Sequence, residues 1–139
     1  MTIPTDQINL PEVLAELHAL YPRYEKALVT NDVPTLVEMF WPSPHVMRFG
    51  VTENLYGHEE LEAFRQSRPA ANLARTVTRL DIVTFGRDTA SVTLEFERST
   101  PATVSNQAKI IRGRQSQLWI RLAEGWKIVS AHVSVLPQV

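Results

Sequence analysis

Arg48 stands in VMRFG with Met47 and Phe49 on either side, a permanent charge between two apolar residues. In an alternating strand such an arginine points out to solvent. At the base of a pocket, its planar fork instead grips a carboxylate through two hydrogen bonds. Tyr21 and Tyr24, three residues apart in YPRYEKAL, are either core aromatics with locally satisfied hydroxyls or polar groups of the same small-anion site. Tyr56, in NLYG, joins that site or plugs the junction before a helix. A fourth source is GRQSQLWIRLAEGWKIVSAHVS, residues 113–134, whose apolar residues belong in a core. It also carries Arg114, Gln115, Gln117, Arg121, Ser130, His132 and Ser134, which form a solvent face or line a pocket for something polar.

Other chemistries are poorly served. No G-x-x-x-x-G-K-[ST] or G-x-G-x-x-G segment cradles phosphates, and five glycines are few for such loops. No G-x-S-x-G elbow presents an activated serine. The absence of cysteine removes disulfides, thiolate nucleophiles and cysteine-bound metal. His18, His45, His58 and His132 lack metal-ligand spacing, so no metal or other cofactor is expected, and chelators should leave activity intact. Fourteen basic against fifteen acidic residues give a net charge of −1, without the basic footprint of a nucleic-acid or anionic-membrane partner. The N-terminus MTIPTDQINLPE has no signal-peptide pattern and no apolar run approaches a membrane span, so the expected location is the cytoplasm.

The elements that must position these groups follow from periodicity. Residues 9–31 predict a helix capped by Asn9, with Pro11 in its first turn and Leu14, Leu17, Tyr21, Tyr24 and Leu28 on one stripe. Pro22 falls inside it and predicts a kink near Leu20. A short helix follows in DVPTLVEMF with Asp32 as cap, then a brief strand at 45–50 and a third helix near 58–67, stopped before Pro69. From Arg75 the period changes to two, and four long strands rich in Val, Ile, Thr, Phe and Trp succeed one another. Helices first and an antiparallel meander afterwards predict an α+β fold in one domain, 1–139, with one sheet wrapped round the helices to enclose a conical cavity.

The face of His132 depends on the hairpin turn. A three-residue loop Ala123–Gly125 pairs Leu122 with Trp126 and puts His132 with Arg114, Ser116 and Leu118. A two-residue loop Glu124–Gly125 pairs Ala123 with Trp126 and puts His132 with Gln117 and Trp119.

In two long blocks, RFGVTENLYGHEELEAFRQSRP and GRQSQLWIRLAEGWKIVSAHVS, the chain resembles the AtzH-like family and its oxalurate-catabolism HpxZ-like members. That family lies in the SnoaL-like, nuclear-transport-factor-2-like superfamily, and the likeness runs from INLPEV to AHVSVL. The resemblance implies a cone-shaped α+β barrel, N-terminal helices on a curved antiparallel sheet, usually as a homodimer built on sheet faces. For the activity it implies a decarboxylating amidohydrolase converting 1,3-dicarboxyurea to allophanate in s-triazine or ureide breakdown. Tyr24 and Arg48 match the family's catalytic tyrosine and arginine; Tyr56, Arg114, Gln117 and His132 are the expected substrate-binding groups. The expected ligand is a small anionic carboxylated urea or ureide, with an amidase-type pathway enzyme as a further partner. A non-catalytic accessory protein of such a pathway is the alternative.

Overall fold

The computed structural model describes residues 2–70 and 73–138. Helix α1, Pro11–Thr30, buries Val13, Leu17, Tyr21, Tyr24, Ala27 and Leu28. Their spacing of three or four residues makes one stripe, and only that stripe is withdrawn from water. Leu17 is wholly buried, so Leu17→Ala would cost about 2–5 kcal/mol through lost burial and the cavity left behind. The helix continues through Pro22, whose ring lies on the exposed side. It ends at Asn31, which adopts a left-handed conformation (φ 53°) and donates its N–H to the carbonyls of Ala27 and Leu28.

Asn9 does not cap α1; Leu10 holds that position. Asn9 is itself left-handed (φ 59°), and its side-chain oxygen accepts the N–H of Thr84 while its own N–H donates to the Thr84 carbonyl. A residue that tolerates this backbone shape and mimics a peptide edge serves better as a latch onto a strand than as a cap. Asp32 does cap α2, Val33–Glu38, accepting from the N–H and the hydroxyl of Thr35. Helix α3 spans His58–Ser67, and Arg68 beyond it is extended, as a residue before proline must be.

Six strands form one sheet in the order β2-β1-β6-β5-β4-β3. They are β1 Met47–Phe49, β2 Asn54–Tyr56, β3 Thr76–Phe85, β4 Thr89–Thr100, β5 Lys109–Leu122 and β6 Gly125–Val135. All neighbours are antiparallel except β1, which lies parallel to β6 with Arg48 beside Ala131. The sheet is curved but open: β2 and β3 are its two ends, so it forms a half-cone rather than a closed barrel. Strand β2 was not anticipated, because three residues in ENLYG are too few to display a period.

Alternation sorts the long strands. Ala90, Val92, Leu94 and Phe96 of β4 face the helices, and so do Gln115, Gln117 and Trp119 of β5. Gly113 lies across from Phe96, where a Cβ would come within 2.1 Å of the ring, so only glycine lets the phenyl lie flat there.

Neither anticipated hairpin turn is adopted. The turn is the two residues Ala123 and Glu124, with Leu122 opposite Gly125, whose φ of 113° suits glycine. A bulge then inserts Val129, so that Leu118 pairs with Ser130 and Ser116 with His132. The face of His132 is therefore the one it shares with Arg114, Ser116 and Leu118, reached by a different turn. Among the described residues no helix is long and apolar enough to cross a membrane.

Candidate functional site

Between α1 and the concave side of the sheet lies a cavity of about 60 Å³. Tyr24 and Leu28 reach it from α1, Arg48 from β1, Arg98 from β4, Gln115 from β5 and Val133 from β6. Arg68, Leu73 and Arg75, between α3 and β3, close it. This volume is well below the roughly 300–1,000 Å³ of sites that take drug-sized ligands, so only a small molecule fits. A larger concavity of about 600 Å³ lies beside Pro42, Tyr56 and Glu60, but it is a broad surface depression whose lining carries Glu59 and Glu60 and no lysine or arginine to hold an anion.

One end of the cavity is a closed hydrogen-bond ring. Arg75 donates Nε and Nη2 to the two oxygens of Glu25 at 2.8 Å each, and Nη2 also to Gln115 Oε1 at 2.8 Å. Gln115 Nε2 donates to the Tyr21 hydroxyl, which donates to Glu25 Oε1, both at 2.9 Å. Burial alone would lower the pKa of Arg75, but its hydrogen bonds and charge pairing with Glu25 outweigh it and raise the pKa. Burial, then the neighbouring Glu25 charge, push the Tyr21 phenol upward, so this hydroxyl stays protonated.

The other end is short of anions. Arg48 is buried and pairs through Nη1 with Glu53 Oε1 at 2.8 Å. Burial opposes ionisation of Glu53, yet hydrogen bonds from Arg48 and Thr52 prevail and hold its carboxyl below the usual range. Arg65 is wholly buried just behind the cavity and has one partner, the Tyr24 hydroxyl, at 3.1 Å from Nη2. Among the described residues its Nε and Nη1 have none, nor do the Nε atoms of Arg68 and Arg98. Arg68 otherwise uses Nη2 on Asn31 Oδ1 at 2.9 Å. Burial first, then repulsion from Arg48 and Arg68, bring Arg65 down to about 10, so it keeps its charge at neutral pH. Arg68 and Arg98 are also lowered, again mainly by burial, with Arg48 adding to the first and Arg75 to the second. Arg48, Arg65, Arg68, Arg75 and Arg98 thus face the two carboxylates of Glu25 and Glu53. Burying an unpaired charge costs several kcal/mol, and a small anion seated against Arg68 and Arg98 would offset it.

Tyr24 and Arg48 therefore meet at one cavity. The expected substrate-binding groups do not line this cavity. Tyr56 is 54% exposed and lies edge-on to Phe49 at the broad depression. Arg114 and His132 project from the convex face of the sheet, because positions 114 and 116 alternate outward and His132 pairs with Ser116. Gln117 faces inward but accepts from the Trp119 indole at 3.0 Å, away from the cavity wall.

Arg65, Arg68, Arg75 and Arg98 went unrecognised in the sequence, although two of them left a trace. Arg65 falls four residues after the buried Leu61, on the apolar stripe of α3, and Arg98 continues the inward series of Leu94 and Phe96. A charge at a core-facing position was the available signal.

The AtzH-like family profile matches residues 6–138. The chain belongs to the AtzH-like family. It is 44% identical to a protein with unknown function from Pectobacterium atrosepticum, over 97% of this chain and 99% of that one, with a TM-score of 0.88. A cystatin-like fold protein from Burkholderia xenovorans is 37% identical over 95% of this chain and 98% of that one, with a TM-score of 0.83. A ketosteroid isomerase-like protein from Erwinia carotovora atroseptica, at 17% identity, shares the fold over 93% of this chain and 100% of that one, with a TM-score of 0.72. No curated protein matches the sequence.

Proposed function

We propose that this AtzH-like protein is a cofactor-independent decarboxylating amidohydrolase for a small carboxylated urea, of the 1,3-dicarboxyurea-to-allophanate type. The observation that carries the reading is a small cavity where an undonated phenol hydroxyl, Tyr24, adjoins Arg48 and a surplus of buried guanidinium groups. An N-carboxylate loses CO2 when the bond between its carbon and the nitrogen breaks. The electron pair passes to nitrogen, which takes a proton, and neutral CO2 departs. Arginine holds the carboxylate in place, and Tyr24 supplies the proton as the bond opens. Water returns a proton to the tyrosinate, and the cycle closes without a covalent intermediate.

CO2 release from 1,3-dicarboxyurea by the purified protein tests this. Arg48→Lys keeps the charge but loses the fork, and should weaken binding by about one to two decades, the equivalent of a lost charge-assisted hydrogen bond of roughly 1.5–3 kcal/mol. Calorimetric binding of the substrate without CO2 release would sink the enzymatic reading and leave an accessory protein of a ureide amidohydrolase pathway.

A further inference from the structure

Arg65 is the most deeply buried cation near the cavity, yet it is not among the residues that line it. Among the described residues its three guanidinium nitrogens make one hydrogen bond, from Nη2 to the Tyr24 hydroxyl. A guanidinium has only donors, so in this bond the tyrosine oxygen must accept. Its own hydrogen is then free for another acceptor, and among the described residues Tyr24 donates to none. We propose that Arg65 is a positioning residue for Tyr24, holding the hydroxyl oxygen as an acceptor so that its hydrogen is presented to the cavity. The inference rests on the decarboxylase reading for its catalytic consequence, but not for its geometry.

Two consequences follow from the same contact. The direction of proton transfer is set, because Arg65 occupies the oxygen as an acceptor while the hydroxyl hydrogen stays available to a group in the cavity. The charge left on oxygen when the proton departs also falls beside a permanent cation, which stabilises it where it develops. Tyr21 shows the contrast. Its hydroxyl donates to Glu25, so its proton is spent inside the protein.

The placement of Arg65 is hard to explain as packing. A buried cation with two nitrogens unpartnered among the described residues is a poor stabiliser, and an apolar chain of similar length is often equal or better there. Arg65→Met should therefore keep or raise the melting temperature while lowering kcat by about tenfold or more, within the roughly 10²–10⁴-fold of general acid catalysis. KM should move much less than kcat, since Arg65 does not line the cavity. Arg65→Lys, which restores a cationic donor, should recover most of the loss. In a Tyr24→Phe background, Arg65→Met should add little, because the group it positions is gone. Equal losses from Arg65→Met with and without the Tyr24 hydroxyl would overturn the proposal, as would a folded variant with wild-type kcat.

Neutron diffraction from wild-type crystals in heavy water tests the geometry even if the protein releases no CO2. The expected result is an Arg65 deuteron on Tyr24 Oη and the hydroxyl deuteron directed into the cavity. A hydroxyl deuteron directed to another protein atom would sink the positioning role. Absence of CO2 release with the expected deuteron positions would instead overturn only the decarboxylase reading.

Discussion

Tyr21 and Tyr24 sit on one helix and one stripe, each 2% exposed, with ring centroids 5.8 Å apart. They differ in what their oxygens do. Tyr21 accepts from Gln115 and donates to Glu25 inside a ring that Arg75 closes. Among the described residues Tyr24 only accepts, and the guanidinium groups on its side outnumber the carboxylates. Burial and residue type are the same at the two positions. The difference lies in donor–acceptor balance: a saturated network holds the fold, and an unsaturated one leaves hydrogen-bonding capacity for a ligand.

The largest effect should come from opening the saturated end. Arg75→Met leaves Glu25 without its bidentate partner and Gln115 without its donor, and should cost about 3–5 kcal/mol by urea denaturation. A loss under about 1 kcal/mol would mean that the ring is not structural.

Exchanging hydroxyls sharpens the contrast between the tyrosines. Tyr24→Phe should keep its melting temperature and lose turnover by roughly 10²-fold or more. Tyr21→Phe leaves Gln115 Nε2 and Glu25 Oε1 each short of a partner, and should cost about 1–3 kcal/mol of stability with a smaller effect on kcat. The opposite pattern, an unstable Tyr24→Phe and an inactive but stable Tyr21→Phe, would reverse the assignment.

The smallest effect concerns Glu53. Its folded pKa lies below its unfolded one, so its ionised form stabilises the protein above the usual carboxylate range, and that stability is lost as pH falls through the folded pKa. Wild type should melt above Glu53→Gln at neutral pH, and the gap should close below about pH 4. A gap independent of pH would show that the Arg48–Glu53 pairing adds no stability.

Much of this architecture was legible in the sequence where a repeat carried it. The stripe of α1, the Asp32 cap, the stop of α3 before Pro69 and the period-two strands each depend on local geometry. Tyr24 and Arg48 stood out by residue type, the family resemblance implied their roles, and their common cavity is a fact of the structure. The arginine cluster was not legible, because its members come from β1, α3, the segment after α3, and β4. No spacing along the chain records their meeting. Asn9 misled for the opposite reason: a good local cap was drawn away by a strand seventy-five residues later. Hairpin register was the third gap, since a turn and a bulge can compensate one another.

That bulge carries a further consequence. Between Leu122 and Trp119 the two strands keep one phase, and beyond Val129 they keep the other. Were the ladder regular, with Val129 paired to Leu118, Gln117 would lie opposite Ser130, and Ser130 and His132 would turn inward while Ala131 and Val133 turned out. The apolar wall at Val133 would then be replaced by hydroxyl and imidazole groups. One unpaired residue in β6, two positions before the neighbour of Arg48, thus acts as the toggle that keeps this wall apolar.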